Sequence, residues 1–303
     1  MRRCMTYHEP SLPPVSLDHV LAFTIPARNA RGRMVRLGPV LGQILAAHDY
    51  PPAMAQCLAE ALVLTALMGS LLKGEDDQLT LQAQASEGLV RLLVCDYRQG
   101  ELRGYLEPAE VLPDPAGTTA DRLFKGGHLA ITFDIAATKQ RYQGIVSLDG
   151  ASLTEVVQNY FAQSEQVPTL VRTAVDFVGE GVVAAGLLVQ HLPEGEEGRA
   201  RLHVQLDHPE WEHVAILAGS VKSEELVDPG LPFDDLLWRL FHEEGEVRVA
   251  AGPQLQKGCR CTQLHFESVL SRFSKEDRRD MADENGVIVV DCAFCSRKFD
   301  IQD

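Results

Sequence analysis

The chain divides into segments with a two-residue hydrophobic repeat and segments with a helical repeat. Short strands are predicted at 21–29 and 33–37, and helices from Pro39 to His48 and from Pro51 to about Lys73. Further strands are predicted at 79–85, 89–97, 102–107, 129–135, 142–148, 169–177 and 182–190. Because the strands cluster, with helices grouped between them, the pattern predicts an α+β fold with an antiparallel sheet and packed helices.

Two helical segments carry additional signals. Ser152 predicts the N-cap of a helix, with Glu155 three residues later completing a capping box. The most apolar stretch, 53–72, is interrupted by polar residues such as Gln56 and Glu60. We therefore expect a buried or amphipathic helix there rather than a membrane span.

Beyond an acidic stretch at 193–200, expected to be a surface loop, the chain becomes amphipathic and helical at 210–221 and 233–243. A connector this apolar needs a surface to cover. We expect it to cover the N-terminal sheet and to control exposure of the surface beneath it through Trp211, Phe233, Leu237, Leu240 and Phe241. The predicted division is a core at 1–205, a helical linker at 206–250 and a small C-terminal domain at 251–303.

Charge and the N-terminal sequence restrict partners and location. With 28 Lys and Arg against 43 Asp and Glu, the net charge of −15 opposes binding to nucleic acid or to an anionic membrane. The first 20 residues are polar and interrupted by proline, unlike a secretory signal. We therefore expect a cytoplasmic protein with neither nucleic-acid nor membrane partners. The part that the N-terminal extension, 1–17, plays is left open.

The strongest chemical signal is a pair of cysteine motifs near the C-terminus. Cys259 and Cys261 form Cys-x-Cys, and Cys292 and Cys295 form Cys-x-x-Cys after the apolar run 287–291. Residues two apart in an extended chain point the same way, and a turn after a strand directs two thiolates at one centre. Four thiolates suit one Zn²⁺ ion per chain in a closed site, which is structural or regulatory rather than hydrolytic.

A purely structural zinc site is the simplest alternative, although Cys-x-Cys is a less usual spacing for one. Metal-bound thiolates are deprotonated, and an accessible thiolate reacts with oxidants, so the site can also sense oxidation if solvent reaches it. Only about thirty residues separate the two motifs. A unit this small depends on its metal to fold, so loss of the metal should unfold it.

Other candidate residues are weighed against simpler roles. Cys57 and Cys95 lie in apolar segments and are expected to be buried, whereas Cys4 is expected to be exposed and isolated. His265 is a possible zinc ligand, but four sulfurs already complete a tetrahedron, so we expect it at the surface. The motif at Cys292 resembles a thioredoxin motif, which makes a thiol-disulfide oxidoreductase the second hypothesis.

A zinc-dependent nucleic-acid-binding protein is the third hypothesis. From Cys259 onward there are 7 basic and 9 acidic residues, so this segment lacks the excess of positive charge that nucleic-acid binding requires. Nucleotide-binding loops and hydrolase motifs such as Gly-x-Ser-x-Gly are absent from the sequence. Nothing in the sequence points to an enzyme with a conventional active site.

Taken together, these segments resemble one protein family. Gly258-Cys-Arg-Cys261 with Cys292-Ala-Phe-Cys295 is similar to the redox switch of the bacterial 33-kDa heat-shock chaperonins. HDYP at 48–51, RYQGIVSLDG at 141–150, NYFAQSEQVPT at 159–169 and LLWRLFHEE at 236–244 also resemble that family's sequences. The resemblance extends in order over about residues 20 to 300.

The resemblance implies an ATP-independent chaperone, a holdase that keeps unfolding proteins from aggregating and is not an enzyme. Its reduced, zinc-bound form would be inactive. Oxidation would join Cys259 to Cys261 and Cys292 to Cys295, release zinc, unfold the switch domain and linker, and expose a client-binding surface. The active form would be a homodimer, and its clients would be unfolded or misfolded proteins.

Overall fold

Two six-stranded sheets form the body of the protein in this computed structural model, which describes residues 5–7, 17–109, 119–150, 152–179, 181–192 and 208–302. The first sheet contains β1 (Met5–Tyr7), β2 (His19–Ile25), β3 (Ala30–Leu37), β9 (Thr169–Val178), β10 (Gly181–His191) and β11 (Val247–Gln254). The second contains β4 (Gln78–Gln84), β5 (Val90–Arg98), β6 (Glu101–Pro108), β7 (His128–Ile135), β8 (Gln140–Ser147) and β12 (Gln256–Lys257).

The strand orders are β1-β11-β2-β3-β10-β9 in the first sheet and β12-β6-β5-β4-β7-β8 in the second. Neighbouring strands are antiparallel apart from two parallel pairs, β1 with β11 and β12 with β6. Both parallel pairs involve strands that follow the linker. The chain therefore returns to the first sheet through β11 and then reaches the edge of the second through β12.

Helices fill the space between the two sheets. They are α1 (Pro39–Leu45), α2 (Pro52–Gly69), the short α3 (Ala120–Leu123) and α4 (Leu153–Tyr160). The largest hydrophobic cluster joins α1, α2 and α4 to the inner faces of both sheets. By length and hydropathy alone α2 could cross a membrane, but most of it is buried in this cluster, and core helices of soluble proteins have the same composition. The expected buried helix is confirmed.

Three linker helices, α5 (Pro209–Gly219), α6 (Ser223–Val227) and α7 (Phe233–Phe241), lie on the outer face of the first sheet. Their apolar sides and that face of β2, β3, β10 and β11 form a second hydrophobic cluster. The strongly amphipathic α7 contributes Phe233, Leu236, Leu237, Leu240 and Phe241. The first sheet is thus covered on both sides.

The last part of the chain, residues 258–302, forms what we call the C-terminal unit. It contains α8 (Gln263–Leu270), α9 (Lys275–Met281) and a hairpin of β13 (Val287–Asp291) and β14 (Lys298–Gln302). Its buried hydrophobic residues are Leu270, Ile288 and Ile301, with four partly buried neighbours. A core of this size is too small to stabilise an independent domain.

The α+β prediction is confirmed, and each predicted strand overlaps an observed one. The strand predicted at 21–29 ends at Ile25, because Pro26–Arg28 forms a short 3-10 helix. The predicted helix from Pro39 ends at Leu45 rather than His48. At the N-cap of α4 the Ser152 hydroxyl accepts a hydrogen bond from the Glu155 backbone. The three-part domain division stays a prediction, and β11 spans its second boundary at 250/251. Cys4 and the acidic stretch 193–200 lie outside the described residues, as does most of the N-terminal extension.

Candidate metal centre and linker contacts

The four predicted cysteine ligands come together in one cluster. Their Sγ atoms all lie within 4.8 Å of one another. Cys259 Sγ is 3.3 Å from Cys261 Sγ and 3.6 Å from Cys292 Sγ, and Cys261 Sγ is 3.5 Å from Cys295 Sγ. A tetrahedron of sulfurs about 2.3 Å from a zinc ion has edges of about 3.8 Å. The donor set and its spacing therefore fit one tetrahedral metal ion.

The second cysteine pair is held by a turn between β13 and β14, residues 292–296, which we call the knuckle. The Cys292 carbonyl accepts hydrogen bonds from the amides of Cys295 at 3.3 Å and Ser296 at 2.8 Å. Ser296 closes the turn in the left-handed region, with φ 54°. Since Cys292 and Cys295 are both inside this turn, the hairpin directs both sulfurs to the same point.

The first cysteine pair follows a close approach between the chain and the second sheet. The Gly258 amide donates to the Leu102 carbonyl at 2.8 Å. A Cβ at Gly258 would lie 2.5 Å from Cβ of Glu101, so only glycine fits without displacing the strand. This contact fixes where Cys259 and Cys261 leave the edge of the second sheet.

The electrostatics of the cluster favour a cation. Burial raises the pKa of Cys259, but hydrogen bonds from the Cys261 amide and from the neighbouring thiols outweigh it and bring the pKa to about 7. Burial, followed by the neighbouring sulfurs, raises the pKa of Cys261, and burial raises that of Cys292. One thiolate thus forms readily, whereas several in so small a volume need a positive ion among them.

The knuckle packs directly against the second sheet. The Phe294 ring lies 4.9 Å from the Tyr105 ring in an edge-to-face arrangement. The Arg103 guanidinium lies 4.0 Å from the centre of the Phe294 ring and pairs with buried Asp96. Phe294 lies between Cys292 and Cys295, and Arg260, between Cys259 and Cys261, donates to the Gln78 side chain of β4. Both cysteine pairs are therefore joined to the second sheet.

Polar contacts connect the knuckle to the end of α1 as well. His48 Nε2 lies 2.8 Å from the Ala293 carbonyl oxygen, and the Ser296 hydroxyl donates to the Ala47 carbonyl at 2.6 Å. The strand before the cluster is held too, since Lys257 donates to the Gln43 carbonyl at 2.8 Å. The position of the C-terminal unit on the core therefore depends on the folded knuckle.

All five predicted gate residues are buried on the outer face of the first sheet. Trp211 and Phe233 are 9% and 8% exposed, Leu240 is 8% exposed, and Leu237 and Phe241 are fully buried. The Phe241 ring lies 5.8 Å from that of Phe23 in β2. The expected cover on the N-terminal sheet is the arrangement observed, and the gating role of these residues stays a prediction.

Arg36 of β3 attaches the middle of the linker to the sheet, which the sequence analysis missed. Its buried guanidinium donates to the carbonyls of Leu226 at 2.7 Å, Leu231 at 3.2 Å and Glu225 at 3.3 Å. It also lies 4.5 Å from the centre of the Phe233 ring. Burial lowers the pKa of Arg36 to about 10. The sequence does carry one indication of this role. Arg36 lies two residues after apolar Met34 in a predicted strand, so both side chains point to the same side.

A second missed contact holds both ends of the linker. Arg28 bonds to Glu210 at the start of α5 and, at 3.0 Å, to Glu244 just beyond α7. Glu244 is nearly buried and also lies 2.8 Å from His213 Nε2. From the sequence, 242–244 reads only as a helix end. Arg36 in β3 and Arg28 in the turn between β2 and β3 together provide positive charge that contacts the linker.

The remaining candidates are placed as expected where they are described. Cys57 and Cys95 are buried in the core between the sheets, and burial raises the pKa of both thiols. They are therefore poor nucleophiles. His265 is exposed, stacks on Phe266 and is not part of the sulfur cluster.

Comparison with known proteins identifies the family. The model of the family described as Hsp33 protein matches residues 18–302. The chain belongs to the Hsp33 family. Two strains of Caulobacter vibrioides have a 33 kDa chaperonin that is 40% identical over 290 residues, 92% of this chain and 93% of the relative. A 33 kDa chaperonin of Yersinia pestis is 32% identical over 270 residues, 89% of this chain and 87% of the relative.

A solved structure supports the fold independently. The 33 kDa chaperonin (heat shock protein 33 homolog) of Thermotoga maritima superposes with a TM-score of 0.76, covering 94% of this chain and 95% of that one, at 23% identity. Members of the Hsp33 family are chaperones, not enzymes, so this chain is a chaperone that binds unfolded client proteins. The expected family and the expected non-enzymatic function are confirmed.

Proposed function

We propose that this Hsp33 chaperone is a redox-regulated, ATP-independent holdase whose reduced form binds one zinc ion through Cys259, Cys261, Cys292 and Cys295. The observation that carries the proposal is a four-sulfur cluster inside a unit with almost no core of its own. When bound, zinc would hold four thiolates in a tetrahedron and supply no redox chemistry of its own. The four cysteines would then stabilise the C-terminal unit, which its few buried residues cannot do.

Oxidation would remove the ligands. Each cysteine pair would give two electrons to a peroxide such as hydrogen peroxide, and the two thiols and one peroxide would become one disulfide and two water molecules. A disulfide no longer offers thiolates to a metal. The sulfur distances within and between the two motifs are similar, so they leave the pairing open.

We infer the pairs Cys259–Cys261 and Cys292–Cys295 from chain length and the family resemblance. Once the unit unfolds, sulfurs two or three residues apart meet far more often than sulfurs separated by more than thirty residues. Neighbouring cysteines would then be the favoured partners.

The signal would reach the linker through β12 and β11. Loss of the knuckle would remove Phe294 from Tyr105 and Arg103 and free the chain at Gly258. Gly258 directly follows β12, and β12 is preceded by β11, which is the first strand after the linker helices. Without its downstream contacts β11 would hold the end of α7 less firmly. Release of the linker would uncover the outer face of the first sheet and expose apolar surface to clients.

The site of action that we propose is the cytosol, where thiols are kept reduced until an oxidant arrives. The activated form that we propose is a homodimer, as the family resemblance implies. Light scattering of the oxidised protein would then give twice the mass of the reduced protein.

Aggregation of a thermally unfolding client protein, measured with reduced and with peroxide-oxidised chaperone, tests the proposal when zinc is quantified in both samples. We expect about one zinc per chain and little protection in the reduced sample. The oxidised sample should lose its zinc and suppress aggregation. Equal protection in both states would overturn the redox regulation and leave a purely structural metal site.

A further inference from the structure

The outer face of the first sheet, which we call the linker face, is apolar with embedded cations. Strand register places Leu21, Phe23, Met34 and Leu187 on this side, where they pack against the linker helices. Arg36 shares that side of β3. The face therefore combines a hydrophobic surface with a buried positive charge.

Further cations surround it. Arg172 of β9 is partly buried at the end of α5, where its Nη2 would lie 3.4 Å from a Cβ added at Gly219. Arg28 lies at the rim and bonds to two linker carboxylates. Asp176, on the same side of β9, is exposed towards the tip of the β9–β10 hairpin. Acidic charge on this face is thus confined to its margin in the described strands.

The linker is complementary to this face in charge as well as in hydrophobicity. Residues 208–244 contain nine acidic and two basic residues, whereas the whole chain has 43 and 28. Glu210 and Glu244 bond to Arg28, and backbone carbonyls around α6 bond to Arg36. The covering segment is therefore an amphipathic helical chain whose polar side is strongly acidic.

We propose that the uncovered linker face binds client segments that resemble the linker: amphipathic, helix-forming stretches whose polar side carries carboxylates. This inference rests on the proposed function for the uncovering step. Once the linker leaves, Arg36 faces water amid apolar side chains, and an incoming segment that buries it again must supply acceptors. Segments with a basic polar side meet like charge and are disfavoured.

Fluorescence anisotropy with two synthetic peptides tests this. One has the sequence of residues 208–244, and the other has the same sequence with every Glu changed to Gln and every Asp to Asn. Two opened forms of the full-length protein are used: the peroxide-oxidised protein and the reduced Phe233→Ser/Leu237→Ser variant, which we expect to open without oxidant. We expect the acidic peptide to bind both forms about tenfold more tightly than the amide peptide.

Variants of the opened forms show whether the arginines set this preference. Arg28→Gln removes the partner of the two linker carboxylates and should nearly abolish the preference. Arg36→Gln should weaken both peptides alike, because the acceptors of Arg36 are backbone carbonyls that both peptides keep. Arg141→Gln removes an exposed arginine on β8, away from the linker face, and should leave the preference unchanged.

Equal affinity for the two peptides would overturn the inference, and so would absence of binding to either opened form. Binding of the acidic peptide to the reduced variant but not to the oxidised protein would support the inference and overturn the redox opening in the proposed function. The two failures are therefore distinguishable.

Discussion

Each sulfur of the four-cysteine cluster has close sulfur neighbours, so no single cysteine is dispensable if the four bind one ion. Cys292→Ser removes a nearly buried sulfur 3.6 Å from Cys259. We expect zinc occupancy to fall well below one per chain, because three thiolates leave a tetrahedral site incomplete. Elemental analysis of the purified reduced protein measures this. Cys57→Ala, which changes a buried cysteine outside the cluster, should leave occupancy unchanged; unchanged stoichiometry in Cys292→Ser would remove that residue from the ligand set.

A second residue-scale prediction concerns Glu60 in α2. Burial raises the pKa of its carboxyl, although hydrogen bonds from the Thr154 hydroxyl and amide, at 2.7 and 2.9 Å, oppose the shift. The folded protein then holds this proton to higher pH than the unfolded chain. The free energy of unfolding therefore decreases as pH rises from the ordinary Glu pKa of 4.5 to the raised value in the folded state.

Glu60→Gln keeps an oxygen acceptor for Thr154 and removes the charge. We expect urea unfolding of this variant to depend less on pH above about 4.5 than unfolding of the unmodified protein. Glu87→Gln, at an exposed ion pair with Lys125, is the matched control and should retain the original pH dependence. Parallel curves for the Glu60 variant and the unmodified protein would contradict this assignment.

Single residues also show what could be read from the sequence. The cysteines could be found because thiolate pairs at short spacing have few other uses. Arg36, Arg28 and Phe294 could not, because one arginine in a strand or one aromatic residue in a turn is usual at any surface. Their importance comes from partners about 180 to 220 residues away in sequence, and sequence spacing does not encode those contacts.

At the scale of elements, the knuckle is one of the contacts between the metal centre and the core. Phe294→Ala leaves every cysteine in place but removes the ring between Arg103 and Tyr105. We expect docking of the C-terminal unit to weaken by about 1 to 2.5 kcal/mol. The reduced variant should bind zinc normally yet release it faster to peroxide, as followed with a zinc-sensitive dye. Phe273→Ala, at an exposed ring in the same unit, is the control; equal release rates for both variants would show that the knuckle contact does not protect the site.

Changes in the linker helices test the covering of the first sheet separately from metal binding. Replacing Phe233 and Leu237 with Ser should weaken docking by about 1.5 to 3 kcal/mol for each residue. The reduced variant should then bind a hydrophobic dye and suppress aggregation while retaining zinc. Ile216→Ser, at a position 65% exposed on α5, is the control and should stay inactive when reduced. Retained zinc with no gain in either signal would mean that the linker does not gate the client surface.

The element pattern was predictable because hydrophobic repeats report which side of a strand or helix is buried. The strand order was not, since β11 enters the first sheet between β1 and β2, and β12 joins the edge of the second. The repeat within a segment such as 247–254 states that it has a buried side but not which sheet it joins. The parallel pairing of β12 with β6 depends on the close approach at Gly258, a tertiary contact.

For the whole molecule, the layers run in a definite order from the metal centre to the linker. The C-terminal unit lies against the outer face of the second sheet, α1, α2 and α4 lie between the sheets, and the linker covers the far face of the first sheet. The metal centre and the linker therefore lie on opposite outer faces of the core. Coupling between them has to pass along the chain through β12 and β11 rather than by direct contact.

This arrangement predicts the result of removing metal without oxidation. Chelation in the presence of a reductant should unfold residues 258–302, since structural zinc supplies about 10 to 16 kcal/mol of apparent binding energy in small domains and this unit has only three buried hydrophobic residues. Both tryptophans of the chain, Trp211 and Trp238, lie in the linker, so tryptophan fluorescence reports the linker alone. We expect a red shift on chelation that reverses when zinc is added back.

A chelator already saturated with zinc is the matched control and should cause no shift. Circular dichroism should show loss of only part of the secondary structure, because the large hydrophobic cluster between the sheets includes none of the four metal-centre cysteines. Loss of the C-terminal unit by circular dichroism with unchanged tryptophan emission would contradict coupling through β11. In that case the linker would remain docked through Arg28, Arg36 and its apolar contacts. Metal loss alone would then be insufficient to release it.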